Sequence, residues 1–176
     1  MKRRIVLGVT GSIAAYKAAE LVRLFVKRGA DVHVVMTPAA REFVAPLTFQ
    51  TLSRNPVWSE PFARTEAWKP DHISLADLAD VVVVAPASAN TIAKMRAGIA
   101  DNLLTSTLLA TRAPIIVAPA MNDGMWDNPA TQENVAVLKS RGVRFVEPET
   151  GELACGTSGR GRLCDIMKII EAVDCL

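Results

Sequence analysis

Histidine and cysteine are scarce in this chain, with two and three residues respectively among 176. The cysteines, Cys155, Cys164 and Cys175, are odd in number, unevenly spaced and late in the sequence, with no histidine beside them. That pattern excludes a disulfide framework and a zinc site, and no other metal-ligand cluster is expected. Net charge is equally low. Twenty basic residues are interspersed with 18 acidic ones for a formal +2, so no basic stripe exists to neutralise a run of phosphates, and nucleic-acid binding is not expected. No apolar stretch is long enough to span a bilayer. Met1-Lys2-Arg3-Arg4 before Ile5 to Val9 has the charge of a signal-peptide start, but the run meets Thr10-Gly11-Ser12 and then Lys17, Glu20 and Arg23, without an h-region or cleavage site. A soluble cytoplasmic protein without a membrane partner is the expectation.

Hydrophobic residues, by contrast, make up half of the chain, enough for a sizeable core in one domain spanning 1–176. Ile5 to Val9 is a short apolar run that ends at Gly11-Ser12. It is followed by helical spacing at Ala14, Ala18, Leu21 and Leu24 or Phe25, then by Arg28-Gly29 as a stop. Val32 to Met36 is a second strand, after which Thr37-Pro38 starts a helix towards Phe43. Two strands joined by a helix form a parallel βαβ unit. Val81 to Ala85, Ile115 to Ala118 and Val143 to Val146 repeat the strand pattern, and helices are predicted over Ala89 to Met95, Asn102 to Ala110, Ala130 to Ser140 and Asp165 to Val173. The fold class is α/β: a doubly wound parallel sheet of five or six strands with helices on both faces.

Between Phe49 and Asp71 the pattern breaks. Pro56, Pro61 and Pro70 interrupt a segment that carries Trp58, Phe62 and Trp68, which predicts a long irregular connection. Its aromatics either pack over a sheet edge or face another subunit.

Ligands of open parallel sheets bind beyond the carboxyl ends of the strands, and four polar clusters follow predicted strands here. Gly8-Val9-Thr10-Gly11-Ser12-Ile13 combines a glycine turn with a hydroxyl at a helix start, which suits a phosphate or serves only as a turn. It lacks the third glycine of a dinucleotide fingerprint, and Met36-Thr37 offers no acid for a ribose diol. Ala85-Pro86-Ala87-Ser88-Ala89-Asn90-Thr91 admits close backbone approach and has three polar groups where a helix cap needs one. In the run from Ala118 to Trp126, Met121, Met125 and Trp126 read as an adaptable apolar wall for a flat ring or a thiol, with core as the alternative for the methionines, while Asn122 suits a carboxylate without adding charge. The fourth cluster, Gly151 to Arg162, has four glycines and reads as a mobile or unusually folded loop, a lid whose flanking arginines lower the pKa of Cys155 or hold an anion. Cys164 and Cys175 are expected to be inert. His33 falls within a strand and reads as structural; His72 at a helix start is either idle or a proton-transfer group.

Over about 4–173 these segments resemble the homo-oligomeric flavin-containing cysteine decarboxylases. The resemblance is carried by Gly11-Ser12-Ile13-Ala14-Ala15-Tyr16-Lys17, His72-Ile73 with Leu75, Pro86-Ala87-Ser88-Ala89-Asn90-Thr91, Gly98-Ile99-Ala100-Asp101-Asn102-Leu103-Leu104, and Pro119-Ala120-Met121-Asn122-Asp123-Gly124-Met125-Trp126. Within that family, Leu153-Ala154-Cys155-Gly156 with Gly159 and Gly161-Arg162 looks like the substrate clamp of the phosphopantothenoylcysteine decarboxylases of coenzyme A biosynthesis.

The resemblance implies a Rossmann-like (flavodoxin-like) fold and FMN as cofactor. It implies a lyase reaction in which 4′-phosphopantothenoylcysteine is oxidised at its thiol carbon, loses CO₂ and is reduced again to 4′-phosphopantetheine. By the same resemblance, His72, Cys155 and Asn122 are catalytic: His72 as base or orienting group, Asn122 on the substrate carboxylate, and Cys155 as proton donor to the enethiolate. Gly11, Ser12, Ile13, Thr37, Ser88, Asn90 and Ser106 would hold FMN, and Met125, Ala154 and Gly156 would join Asn122 in holding substrate. The partners implied are a small phosphorylated thiol and further copies of the chain, as a trimer or a dodecamer built from trimers with FMN near a subunit boundary. Competing readings are decarboxylation of a peptide's C-terminal cysteine, flavin prenylation, for which the Met-Asn-x-x-Met-Trp run is a mismatch, and a non-catalytic FMN-binding regulator. Whether a ligase domain follows, as in bifunctional bacterial relatives, is left open by the sequence.

Overall fold

Short apolar runs alternating with amphipathic segments fold into a parallel sheet wrapped by helices. The computed structural model describes residues 2–59, 68–152, 154, 156 and 158–176. The expectations for Pro61, Phe62, Leu153, Cys155 and Thr157 lie outside the described residues.

The first unit is β1 (Arg4–Val9), α1 (Ala15–Lys27) and β2 (Asp31–Met36), followed by the short helices α2 (Pro38–Arg41) and α3 (Pro46–Ser53). Next come α4 (Asp71–Leu78), β3 (Val81–Ala87), α5 (Ala89–Ala97), α6 (Leu103–Ala110) and β4 (Ile115–Pro119). The chain continues through α7 (Asp123–Asp127), α8 (Pro129–Ser140), β5 (Arg144–Phe145), β6 (Glu149–Glu152), β7 (Ser158–Arg162) and α9 (Ile166–Asp174). Five strands form one parallel sheet in the order β2-β1-β3-β4-β5. The chain moves outward from β1 to β2, then returns to the other side of β1 with β3. That reversal opens a crevice beyond the ends of β1 and β3, where open α/β sheets take their ligands.

Two apolar layers sandwich the sheet. On one face Ile5, Leu7, Val83 and Ile116 meet Leu21, Val22 and Phe25 of α1 and Ile169, Ile170 and Val173 of α9. On the other, Val6, Val82, Val84 and Val117 meet Leu75 of α4, Ile92 of α5, Leu103, Leu104 and Leu108 of α6, and Val135 and Leu138 of α8. Burial on both faces explains why β3 reads as four consecutive valines. Each such side chain contributes about 1.5–3 kcal/mol when withdrawn from water.

The irregular connection is more ordered at its start than its prolines suggest. Phe49 is buried in α3, and Trp58 pairs its backbone with the outer side of β2, donating to the Val34 carbonyl at 2.9 Å and accepting from Met36 N–H at 2.8 Å. The sheet-edge reading therefore holds for Trp58, whereas the Trp68 side chain is 93% exposed. The glycine-rich segment, expected as a mobile or unusually folded loop, forms an antiparallel hairpin of β6 and β7, with Thr150 opposite Arg160 and Gly151 opposite Gly159. Glycine, serine and arginine have little intrinsic preference for strands, so the pairing is a product of packing.

Candidate functional site

Beyond the carboxyl ends of β1, β3 and β4 lies a cleft of about 800 Å³, within the usual size of small-molecule sites. Its first wall is the turn into α1, with Gly11, Ser12, Ile13, Tyr16 and Lys17. This 13-residue helix starts at Ala14 without a side-chain cap from that residue and without an acidic residue in its first turn. Ser12 Oγ accepts only a 3.3 Å bond from Ala14 N–H. Ala15 N–H and Lys17 N–H already donate to the Ser12 and Ala14 carbonyls at 2.9 and 3.0 Å, so the turn offers an anion chiefly the positive partial charge of the helix end and the Ser12 hydroxyl.

The second wall is the turn from β3 into α5. Ser88 caps α5 by accepting from Thr91 N–H at 3.3 Å, and Ser88 and Ala89 face the cleft. Thr10 joins the two walls: its buried hydroxyl donates to the Pro86 carbonyl at 2.7 Å and accepts from Ser88 N–H at 2.9 Å.

The third wall follows β4, where Ala120, Met121, Asn122 and Met125 line the cleft. Asn122 caps α7, its Oδ1 accepting from Gly124 N–H at 2.9 Å. Trp126 corrects the expected apolar wall. One residue further round α7 than Met125, it turns into the core at 2% exposure, and the Arg160 guanidinium lies 5.8 Å from its ring centroid.

The fourth wall is the hairpin. Glu152, Ala154, Gly156, Gly161, Arg162 and Leu163 border the cleft, and the hairpin is joined to the third wall by a 3.0 Å hydrogen bond from Met121 N–H to the Gly161 carbonyl. Its base is fixed by Glu149, which accepts from Lys168 Nζ at 2.8 Å, Asp165 N–H at 3.2 Å and Arg162 Nη2 at 3.2 Å. The Lys168 bond chiefly, then that of Asp165 N–H and, more weakly, Arg162, outweigh burial and hold the Glu149 carboxyl down at about 2. Next to it, burial first and the Glu149 charge second push the Cys164 thiol up to about 12, which fits an inert cysteine.

The structure thus brings Gly11, Ser12, Ile13, Ser88, Asn122, Met125, Ala154 and Gly156 to one cleft. Four expected residues do not line it in this chain. Thr37 caps α2 by accepting from Ala40 N–H, Ser106 donates to the Ala100 carbonyl at 3.3 Å, Asn90 is exposed on α5, and His72 is half-buried on α4. Cys155 is outside the described residues, although Ala154 and Gly156 on either side border the cleft. His33 sits 3.2 Å from Asp31 and has a structural place on β2. Sequence reasoning did not single out Thr10, Lys17 and Glu152 as parts of the site, whereas Arg162, read there with the clamp, borders the cleft. Lys17 and Arg162 stand within quoted motifs, but nothing in a motif says which way a side chain turns.

The sequence profile of the Flavoprotein family matches residues 1–176. A probable phosphopantothenoylcysteine decarboxylase of Streptococcus mutans is 47% identical over 99% of this chain and 98% of its own length. The coenzyme A biosynthesis bifunctional protein CoaBC of Bacillus subtilis is 48% identical over 98% of this chain, which spans 42% of that relative's length. Among solved structures, a mutant PPC decarboxylase complexed with pantothenoylaminoethenethiol superposes with a TM-score of 0.89 at 33% identity, over 99% of this chain and 98% of the other. The FMN-dependent cysteine decarboxylase SpaF gives 0.86 at 32% identity, over 97% and 94%.

Proposed function

The chain belongs to the flavoprotein family, and we propose that it binds FMN in the cleft and uses it to decarboxylate 4′-phosphopantothenoylcysteine to 4′-phosphopantetheine. The observation that carries this reading is the meeting of two unlike half-sites in one cleft. The α1 and α5 turns suit a phosphorylated cofactor, and the Asn122 loop with the hairpin suits a substrate. Relatives and structural neighbours named for this reaction and this cofactor support it.

The residues fit FMN. Its phosphate matches the helix end left uncapped at Ala14, with Gly11, Ser12 and Ile13 around it; Ser88 offers a hydroxyl to the ribityl chain. Ile13, Met121 and Met125 provide apolar contact for a flat ring. When bound, FMN supplies a reversible two-electron acceptor, which gives the departing carboxylate an electron sink at the thiol-bearing carbon.

The chain's own residues then position and protonate. Asn122 orients the substrate carboxylate by neutral hydrogen bonds. A cation there would stabilise the ground-state carboxylate more than the transition state in which its charge is leaving, and would slow the reaction. Cys155 donates the proton to the enethiolate. His72 acts as base or orienting group, and because it does not line this chain's cleft we infer that it serves the cleft of a neighbouring copy. Exposed Leu47, Trp68 and Leu109 supply apolar surface for such an assembly, a trimer or a dodecamer built from trimers.

The test is anaerobic incubation of the FMN-loaded protein with 4′-phosphopantothenoylcysteine, following product mass and CO₂ together. A saturated product lighter by one CO₂ is expected. Bound flavin without conversion would remove this substrate from the reading and send the search to cysteine-ended peptides.

A further inference from the structure

Three charged side chains line the cleft among the described residues: Lys17 on α1, and Glu152 and Arg162 on the hairpin. Arg162 has the most constrained setting. Its guanidinium lies flat against Gly151, so close that a Cβ built there would stand 3.0 Å from Cζ, 3.1 Å from Nη1 and 3.2 Å from Nε. Glu149 holds it from one side through Nη2 alone. Nη1 and Nε make no hydrogen bond among the described residues. The group is thus aligned by a carboxylate while keeping donors for a second acceptor, and its side chain, 45% exposed, sits where the cleft meets solvent.

We propose that Arg162 is the specificity residue of this cleft and receives the phosphate monoester at the end of the substrate remote from the reacting cysteine. This rests on the decarboxylase reading above. Two anions of the substrate compete for the assignment, and chemistry separates them. The carboxylate loses its charge during the reaction, so an arginine on it would oppose the chemical step. The phosphate keeps its charge throughout, and a planar fork of N–H donors suits it. Lys17 balances Glu152, and Arg162 leaves the cleft with a net positive charge. The cofactor's phosphate is the other source of the same chemistry, and the uncapped start of α1 already provides for that one.

The test compares the FMN-loaded wild-type protein with Arg162→Gln and Arg162→Lys on 4′-phosphopantothenoylcysteine and on the same molecule without its phosphate. FMN content and affinity are measured in parallel. For Arg162→Gln the preference for the phosphorylated substrate, as a ratio of kcat/KM values, is expected to fall by about ten- to a hundredfold, through KM and with FMN affinity unchanged. Arg162→Lys should recover part of that preference. An unchanged ratio, or an equal loss on both substrates, would overturn the proposal. Loss of FMN affinity would assign Arg162 to the cofactor's phosphate, which also overturns it. A wild-type protein that turns over neither substrate would bring down the decarboxylase reading itself, whereas the other failures leave that reading standing.

Discussion

Gly161 and Met121 are in backbone contact: Met121 N–H donates to the Gly161 carbonyl at 3.0 Å, and a Cβ on Gly161 would stand 2.3 Å from the Met121 carbonyl oxygen. The hairpin and the Asn122 loop are therefore joined backbone to backbone, and only glycine lets them approach this closely.

Gly161→Ala tests this coupling. The obstructing atom belongs to backbone and cannot rotate aside, so the two walls must part. A stability loss of about 1–3 kcal/mol in urea unfolding is expected, with a larger proportional fall in turnover. Gly29→Ala is the control: its positive φ of 86° makes alanine strained, but the added methyl group would meet nothing within 4 Å, so stability should fall while kcat stays.

Asn122→Asp separates capping from charge. Aspartate accepts from Gly124 N–H as asparagine does, so α7 and the melting temperature should persist. The substrate carboxylate would face a like charge, and KM is expected to rise about tenfold or more with FMN retained. Unchanged KM in steady-state assays would remove Asn122 from the carboxylate.

Thr10→Val keeps the shape of the side chain and deletes its hydroxyl. Ser88 N–H loses its acceptor in a part-buried place, and the two cofactor-facing turns keep only the 3.3 Å bond from residue 10 N–H to the Pro86 carbonyl. Thermal unfolding should show a loss of about 1–3 kcal/mol, and equilibrium dialysis should show weaker FMN binding.

Glu149 makes the anchoring of the hairpin dependent on acid. Folding lowers its pKa from 4.5 to about 2, so its contribution is complete above pH 4.5 and disappears as pH falls towards 2. The stability difference between wild type and Glu149→Gln should be constant near neutrality, shrink below pH 4.5 and close near pH 2 in urea titrations. The carboxylate faces solvent, so the difference is modest.

How much of this was legible beforehand follows from physical causes. β1, β3 and β4 announce themselves because burial on both faces demands unbroken apolar runs. The same strands place the cleft, since their carboxyl ends lead to it, and Gly11, Ser12, Ser88 and Asn122, which line it, follow from that rule. Thr37 and Ser106 do not line this chain's cleft, and their hydroxyls make a local cap and a backbone bond, a use that a hydroxyl near a helix start serves as easily as a ligand. Trp126 differs from Met125 by a 100° step around one helix, which composition cannot register. The hairpin was hidden because its strands rest on glycine contacts with a distant loop, and local preference carries no trace of those. His72 shows the remaining gap: its neighbours along the chain do not reveal that it stands away from this chain's cleft.

The backbone contacts of Trp58 with β2 bear on how the molecule avoids sticking to itself. An unguarded outer strand is a template for aggregation through backbone pairing. Here the β2 margin already has Trp58 on it, and the opposite margin, β5, is two residues long. Backbone pairing between native copies is thereby discouraged at both ends of the sheet, and self-association is directed to side-chain surfaces, where its geometry can be selected.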